Sequence, residues 1–150
     1  MPTIAENRKA LFDYEVLEEY EAGLVLLGHE VKSARNGGMR LKGAYVTMHG
    51  GELWLIGSHI ARYAKAGALE GYEPDRSRKL LVRKREIRSI AGKMEQKGLT
   101  LVPISVYASG SKLKMKFALA RGRKMYEKRE KLRKRDIDRE VRRSLKSGLR

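Results

Sequence analysis

The chain contains no cysteine, and this absence excludes several kinds of chemistry. Without thiols the protein cannot form disulfides, bind a metal through thiolates or use a cysteine nucleophile, and such a composition is typical of a reducing compartment. The longest apolar runs, such as Leu24–Leu27 and Leu53–Ile56, are four residues long, whereas about 20 are needed to cross a bilayer. Charged residues from Glu6 onward also interrupt any secretory signal. We therefore expect a cytoplasmic protein.

Groups that could catalyse a reaction are also scarce. The three histidines, His29, His49 and His59, have no other candidate groups at metal-ligand or triad spacing, so we interpret each as a structural or surface residue. The glycine pairs Gly37-Gly38 and Gly50-Gly51 lack the Lys-Ser/Thr that follows in a phosphate-binding loop. The sequence favours a protein that is not an enzyme and has no cofactor.

Positive charge, in contrast, is abundant. The net charge is +16 and 35% of the residues are charged, a composition that attracts polyanions and above all nucleic acid. The segment 121–150 holds 14 Lys and Arg against 5 Asp and Glu, a net charge of +9, which leaves +7 for residues 1–120. Together with a length that suits one domain, this predicts a folded domain over 1–120 and a basic tail over 121–150.

The first half of the chain shows both strand and helix patterns. Alternating apolar and charged residues in Phe12–Val16 predict a first strand near residues 12–23. From Leu24 the apolar spacing becomes helical and predicts a helix of about ten residues that ends at Gly37-Gly38.

The next pattern is a hairpin. Its predicted strands, Ala44–Met48 and Glu52–Ile56, flank the turn signal Gly50-Gly51. Residues 57–75 have no clear period and are expected to be irregular.

Asp75 or Ser77 can cap a further predicted helix, which ends at Gly98 and has its apolar residues on one face. Residues Leu99–Tyr107 and Lys112–Phe117 then predict two strands, the second with one lysine face. About five strands and two helices favour a small barrel or a strongly bent sheet with helices packed on it. The opposite face of the predicted helix would carry a row of bases: Arg76, Arg78, Lys79, Arg83, Lys84, Arg85 and Arg88.

The tail has too few apolar residues to offset the entropy of ordering it alone, so we expect it to be disordered when free. Four of its apolar residues recur at intervals of four and could form one helical stripe if a partner neutralised the surrounding charge. We infer folding on binding. The four residues are Ile137, Val141, Leu145 and Leu149.

Several side chains allow two interpretations. Glu21 and Glu30 are carboxylates that would repel phosphate, so each forms a salt bridge to one of the many bases or accepts hydrogen bonds from base edges. Tyr126, flanked by charges in the tail, favours stacking on a partner. Five other aromatic residues are expected in the core rather than as platforms for bases: Tyr14, Tyr20, Tyr45, Trp54 and Phe117.

A series of motifs carries a family resemblance. In order along the chain, these are Asn7–Ala10 with Asp13-Tyr14, Glu21–Gly23, Gly28–Ser33, Asp75–Leu81 and Glu127–Arg129. In this order and spacing they resemble small protein B, the SsrA-binding protein family of bacterial trans-translation, over nearly the whole chain.

The resemblance implies a closed OB-like β-barrel of about six strands with flanking α-helices. It also implies binding to the tRNA-like domain of transfer-messenger RNA and delivery of that RNA to ribosomes stalled on messages without a stop codon. Elongation factor Tu and alanyl-tRNA synthetase are further partners, reached through the RNA. In the family the tail becomes helical in the empty mRNA channel.

Site residues follow from the same resemblance. Asn7, Tyr14, Glu21 and Leu81 fall where the family places RNA-binding residues. For Glu21, the resemblance therefore favours an RNA contact over a salt bridge. Next to Leu81, we add Arg78 and Lys79 on electrostatic grounds.

In the tail, Tyr126, Lys128 and Arg129 match the segment near the decoding site. Two positions depart from the family pattern: Glu127 stands where Asp is common, and His29 where Trp is frequent. The alternative is a structural ribosomal or general RNA-binding protein, whose tail simply neutralises RNA.

Overall fold

The computed structural model of the chain describes residues 2–67, 70–123 and 125–148, and within the last range it describes the side chains of residues 129 and 132–142. Among the described residues, no helix is both long and apolar enough to cross a membrane.

The structure contains nine strands and four α-helices among the described residues, together with a π-type turn at Ala34–Gly38 and a 3-10 turn at Ala64–Ala66. In chain order the strands and helices are β1 (Thr3–Glu6), α1 (Arg8–Asp13), β2 (Tyr14–Leu24), α2 (Gly28–Ser33), β3 (Met39–Arg40), β4 (Tyr45–His49), β5 (Glu52–Ile56), β6 (His59–Ile60), β7 (Arg78–Leu81), α3 (Lys84–Lys93), β8 (Leu99–Ser109), β9 (Lys112–Gly122) and α4 (Met125–Gly148).

Six strands form a closed ring in the order β8-β4-β5-β7-β2-β9, because β9 pairs with β8 as well as with β2. Every pairing is antiparallel, and β1 adds to β8 outside the ring. β3 and β6 form a separate small sheet. One extra residue in β2, Leu17, and one in β8, Ile104, interrupt the register opposite β9, and such bulges increase the bend that closes a ring. The mainly β architecture with flanking helices is confirmed.

The interior of the ring is the main hydrophobic core, and β9 shows how the sequence builds it. Its first half alternates as predicted, with lysines outward and three apolar side chains inward: Leu113, Met115 and Phe117. The alternation stops at Ala118, because Ala118 and Ala120 face α1 and are buried in a second cluster with Ala10. Residues 118–120 of β9 are therefore covered on both faces.

The predicted first strand begins too early. Phe12 and Asp13 belong to α1, and the strand starts only at Tyr14. Asn7 accounts for the helix, because its side chain accepts a hydrogen bond from the backbone N–H of Ala10 and caps α1. The sequence did not predict this cap, because the alternating segment Phe12–Val16 favoured a strand.

The helix predicted from residue 75 to residue 98 is wrong in its first part. Arg78–Leu81 is strand β7, and the helix starts at Lys84. Arg78 and Leu80 point inward and are 0% and 2% exposed, while Leu81 on the outer face is 56% exposed. Residues 78–81 therefore alternate between the two faces of the sheet, as in any strand. The sequence did not reveal this alternation because an arginine occupies one of the inward positions.

Other local predictions are confirmed. The hairpin of β4 and β5 turns at Gly50-Gly51, both with positive φ as a tight hairpin turn requires. The first predicted helix exists as α2 and the following turn, although it begins at Gly28 and not at Leu24, which still belongs to β2. Residues 57–67 and 70–75 are largely irregular.

The tail is helical from Met125 to Gly148. Ile137 and Val141, two members of the predicted stripe, are each 52% exposed. That the free tail lacks this helix and gains it on a partner stays a prediction.

Candidate nucleic-acid interface

The predicted row of bases does not form one surface. Arg83, Lys84, Arg85 and Arg88 are exposed at the start of α3 and just before it, as expected. Arg78 is wrong as a surface residue, because its side chain is fully buried. A buried guanidinium with all its partners inside the protein is not available to phosphate.

Arg78 belongs to an ion network around Glu30, which is also fully buried. Nη2 of Arg78 lies 2.6 Å from Oε2 of Glu30 and 2.9 Å from the carbonyl of Pro74. Arg76 donates to both oxygens of the same carboxylate, and Tyr72 donates to Oε2 at 3.1 Å. The salt-bridge interpretation of Glu30 is confirmed, and its function is to hold the segment before β7 against α2.

The electrostatics of Glu30 agree with this role. Burial raises the pKa of the Glu30 carboxyl, but hydrogen bonds from Arg76, from the Leu27 N–H and from Arg78 outweigh it and bring the pKa down to about 2. Glu30 is therefore ionised at neutral pH. Sequence reasoning missed the network because the partners lie more than 40 residues apart along the chain.

Glu21 and Leu81 lie together on a cleft of about 550 Å³ between β2, β7 and the start of α3. They meet because β2 pairs with β7, with Gly23 directly opposite Leu81. A Cβ at Gly23 would lie 3.3 Å from Cβ of Leu81, so the absence of a side chain at Gly23 leaves the leucine open. The cleft combines an apolar surface with charged groups on its rim, namely Glu19, Glu21, Arg83, Glu86 and Lys114.

Glu21 is itself in a salt bridge, yet it remains open. Nζ of Lys114 lies 3.0 Å from Oε1, the hydroxyl of Tyr107 donates to Oε2, and 55% of the Glu21 side chain is exposed. These hydrogen bonds, from Tyr107 first and Lys114 second, lower the pKa of Glu21. The two interpretations of Glu21 are therefore compatible, because an ion pair that stays exposed can still accept hydrogen bonds from a ligand.

Asn7 and Tyr14 line a second cleft, beside α1 and β4. Asn7 is buried, at 5% exposure, and Nδ2 donates to the carbonyl of Pro103 at 3.0 Å. Tyr14 is half-buried at the start of β2. Because Asn7 caps α1 and ties it to β8, it shapes this cleft more than it offers a polar group to it.

Lys79 lies on the outer face of β7, opposite Trp54 of β5. Its Nζ is 2.9 Å from Oε1 of Glu52, and the pair is half-exposed. Tyr45, expected in the core, is 50% exposed on the neighbouring strand, so that expectation is wrong. Phe117 is fully buried as expected.

The start of the tail is attached to the second cleft. The backbone N–H of Arg123 donates to the carbonyl of Asp13 at 2.8 Å, and Nε of Arg123 donates to the carbonyl of Tyr14 at 3.2 Å. Sequence reasoning missed Arg123, which is one base among many. Farther on, Arg129 is exposed, whereas the side chains of Tyr126, Lys128 and Glu127 lie outside the described set.

Among the histidines, His29 packs edge-on against Tyr72, with 4.6 Å between ring centroids. Its Nδ1 is buried and has no hydrogen-bond partner within the described part of the chain. In residues 2–67, 70–123 and 125–148, no group of three or more His, Asp or Glu could hold a metal ion.

Comparisons with known proteins identify the family of this chain. Residues 4–147 match the family model of the SmpB protein. The SsrA-binding protein of Oleidesulfovibrio alaskensis is 47% identical over 142 residues, 95% of this chain and 91% of that protein. The SsrA-binding protein of Carboxydothermus hydrogenoformans is 48% identical over 144 residues, 96% of each.

A solved structure gives the same result. A chain of the structure described as "tmRNA-SmpB: a journey to the center of the bacterial ribosome" is 48% identical, and the match covers 80% of this chain and 84% of that chain with a TM-score of 0.66. The family match thus spans both clefts and most of the tail. The chain belongs to the SmpB protein family.

Proposed function

We propose that this protein binds the tRNA-like domain of transfer-messenger RNA and delivers the RNA to stalled ribosomes, where it acts by shape and charge without chemistry of its own. The observation that carries the proposal is the match to SsrA-binding proteins over nearly the full length, at 47% identity. In this proposal the ring of six strands is an OB-like closed barrel, and the protein works in the cytoplasm.

The Glu21–Leu81 cleft is our candidate for the contact with the tRNA-like domain. It offers an exposed leucine, a carboxylate, a lysine and an arginine, a combination that can contact an unpaired nucleotide by packing, by base-edge hydrogen bonds and by charge. Lys79 extends the surface with a cation for phosphate. Because phosphate contacts carry no sequence information, the carboxylate is the group that supplies selectivity.

The tail is our candidate for ribosome contacts, and the Asn7–Tyr14 cleft beside its start is a second candidate for RNA contacts. Arg123 holds the start of the tail beside Tyr14, so a tail that enters the mRNA channel would bring this cleft toward the ribosome. Tyr126, Lys128 and Arg129 would then lie near the decoding site, where cations meet ribosomal RNA. The tail would be disordered in the free protein and helical in the channel.

Competition binding tests the proposal. A labelled tRNA-like domain is bound to the full chain at moderate salt and challenged with bulk tRNA and with ribosomal RNA fragments. We expect the unlabelled tRNA-like domain to compete at much lower concentration than either of the others. Equal competition by all three would instead identify a general RNA-binding protein, whose affinity is electrostatic.

Truncation tests the tail. Because β9 runs to Gly122 and Arg123 bonds to the domain, the deletion starts after Arg123. The truncated protein is expected to bind the tRNA-like domain normally but to support no peptide tagging on stalled ribosomes. Tagging at the normal rate would overturn the role of the tail.

A further inference from the structure

The carboxylate of Glu21 is held by a residue two strands away. Tyr107 lies on β8 and Glu21 on β2, with β9 between them. Lys114 pairs with Tyr107 on one side and with Gly23 on the other, and Lys116 pairs with Glu21. The contact between Tyr107 and Glu21 therefore runs diagonally across two strand spacings, roughly 10 Å.

Only a long side chain with a terminal donor can make this contact. The Tyr107 ring crosses β9 and its hydroxyl donates to Oε2 of Glu21, while Lys114 donates to Oε1. A phenylalanine at position 107 would keep the ring and lose the donor. The two hydrogen bonds reach different oxygens, so they fix the orientation of the carboxylate as well as its position.

The hydrogen bonds also leave room for a ligand. An ionised carboxylate has about four acceptor sites, and Tyr107 and Lys114 occupy one on each oxygen. About two sites remain on a side chain that is 55% exposed at the cleft. Amino groups of bases and ribose 2′-hydroxyls are the donors of RNA that fit them.

We propose that Tyr107 is a positioning residue of the RNA site, whose hydroxyl holds the Glu21 carboxylate in the orientation that accepts hydrogen bonds from RNA. This inference rests on the proposed function. Burial and the hydrogen bond to Glu21 raise the pKa of Tyr107 to about 12, so the phenol remains a donor at physiological pH. A fixed carboxylate binds more tightly than a free one because less side-chain entropy is lost on binding.

The test is a double-mutant cycle on the affinity for the tRNA-like domain. Tyr107→Phe, Glu21→Gln and the double variant are compared with the natural chain, and Tyr63→Phe, outside the cleft, is the matched control. We expect Tyr107→Phe to weaken binding about fivefold, the effect of one lost hydrogen bond. The double variant should bind like Glu21→Gln alone, because Tyr107 acts through that carboxylate.

Two outcomes of the cycle would overturn the inference alone. One is a Tyr107→Phe variant that binds like the natural chain although Glu21→Gln binds weakly. The other is a double variant in which the two losses multiply, which would mean that Tyr107 contacts RNA independently. If Glu21→Gln itself binds normally, the RNA role of Glu21 and this inference both fail.

A second readout separates positioning from mere support of the fold. In Tyr107→Phe, titration of the Glu21 carboxyl carbon by NMR should give a pKa above that of the natural chain, because the main cause of its lowering is gone. The melting temperature should stay the same. An unchanged Glu21 pKa would show that the hydroxyl does not hold the carboxylate in solution.

Discussion

Glu30 and Glu21 have similar partners and opposite surroundings. Each carboxylate accepts hydrogen bonds from a tyrosine and from basic residues, two arginines at Glu30 and one lysine at Glu21. The side chain of Glu30 is completely buried, whereas 55% of the Glu21 side chain is exposed. The partners alone therefore do not distinguish a structural acid from one that binds a ligand.

Burial makes the distinction. A buried carboxylate must have all its acceptor sites satisfied by the protein, because an unpaired buried charge is very costly. Glu30 meets this demand with two arginines, a tyrosine and a backbone N–H. Water can satisfy the remaining sites of Glu21, and RNA can replace that water.

The largest expected effect is on stability, from Glu30→Gln. The substitution leaves Arg78 buried without its counter-ion, so we expect the free energy of unfolding to fall by about 3 kcal/mol. Urea unfolding at neutral pH measures it, with Glu21→Gln as the matched control that should unfold like the natural chain. Equal losses for the two variants would remove the distinction between the two glutamates.

A fall in pH should weaken the stabilisation that Glu30 provides. Because the folded pKa of Glu30 is lowered to about 2, its stabilisation is complete above the unfolded value near 4.5 and is lost as the pH falls through 2. The difference between the unfolded and the folded pKa of Glu30 corresponds to a stabilisation of roughly 3 kcal/mol. The stability advantage of the natural chain over Glu30→Gln should therefore shrink when urea unfolding is repeated between pH 5 and pH 3. An advantage that does not change with pH would show that folding does not lower the pKa of Glu30.

The next effect is on binding, from Glu21→Gln. The amide replaces one acceptor oxygen by a donor, so we expect affinity for the tRNA-like domain to fall about tenfold, as for a hydrogen bond to a charged group. Glu21→Lys should weaken it further, although it adds positive charge. Fluorescence anisotropy measures both, and tighter binding by Glu21→Lys would mean that only charge matters.

Asn7→Ala tests a residue that is buried like Glu30 but lies beside a cleft. Loss of the cap on α1 should lower the free energy of unfolding by about 1 kcal/mol. Because Asn7 matches an RNA-binding position of the family and lines the second cleft, we also expect weaker binding of the tRNA-like domain. Unchanged binding would remove the second cleft from the contact with this RNA.

The smallest effect is expected for Lys79→Gln. Its ion pair with Glu52 is half-exposed, so stability should barely change. If Lys79 contacts one phosphate, the slope of log affinity against log salt should decrease by about one. A salt titration measures this slope, and an unchanged slope would remove Lys79 from the interface.

Elements whose apolar side chains lie in the core and whose charged side chains face the solvent were predictable from the sequence. The hairpin followed from β-favouring runs around Gly50-Gly51, and the inward face of β9 from strict alternation. The family motifs gave Glu21 and Leu81, which the pairing of β2 with β7 brings to one cleft.

The predictions that failed concerned residues whose partners are remote in sequence. Arg78 was assigned to the surface because an arginine without a visible partner belongs there, and its partner Glu30 lies 48 residues earlier. Asn7 was not recognised as a helix cap because the alternating segment Phe12–Val16, which overlaps the end of α1, favoured a strand. Tyr107 had no signal at all, since its contact with Glu21 depends on the register of three strands.

Methyl NMR during titration with the tRNA-like domain tests the contrast most directly, because Leu80 and Leu81 lie on opposite faces of β7. Leu80 is 2% exposed in the core and Leu81 is 56% exposed on the Glu21 cleft. We predict that the Leu81 methyl signals shift on binding, while those of Leu80 and the Nε–H of Arg78 stay in place. Unchanged Leu81 signals, or equal shifts for both leucines, would contradict the assignment of the cleft as the RNA site.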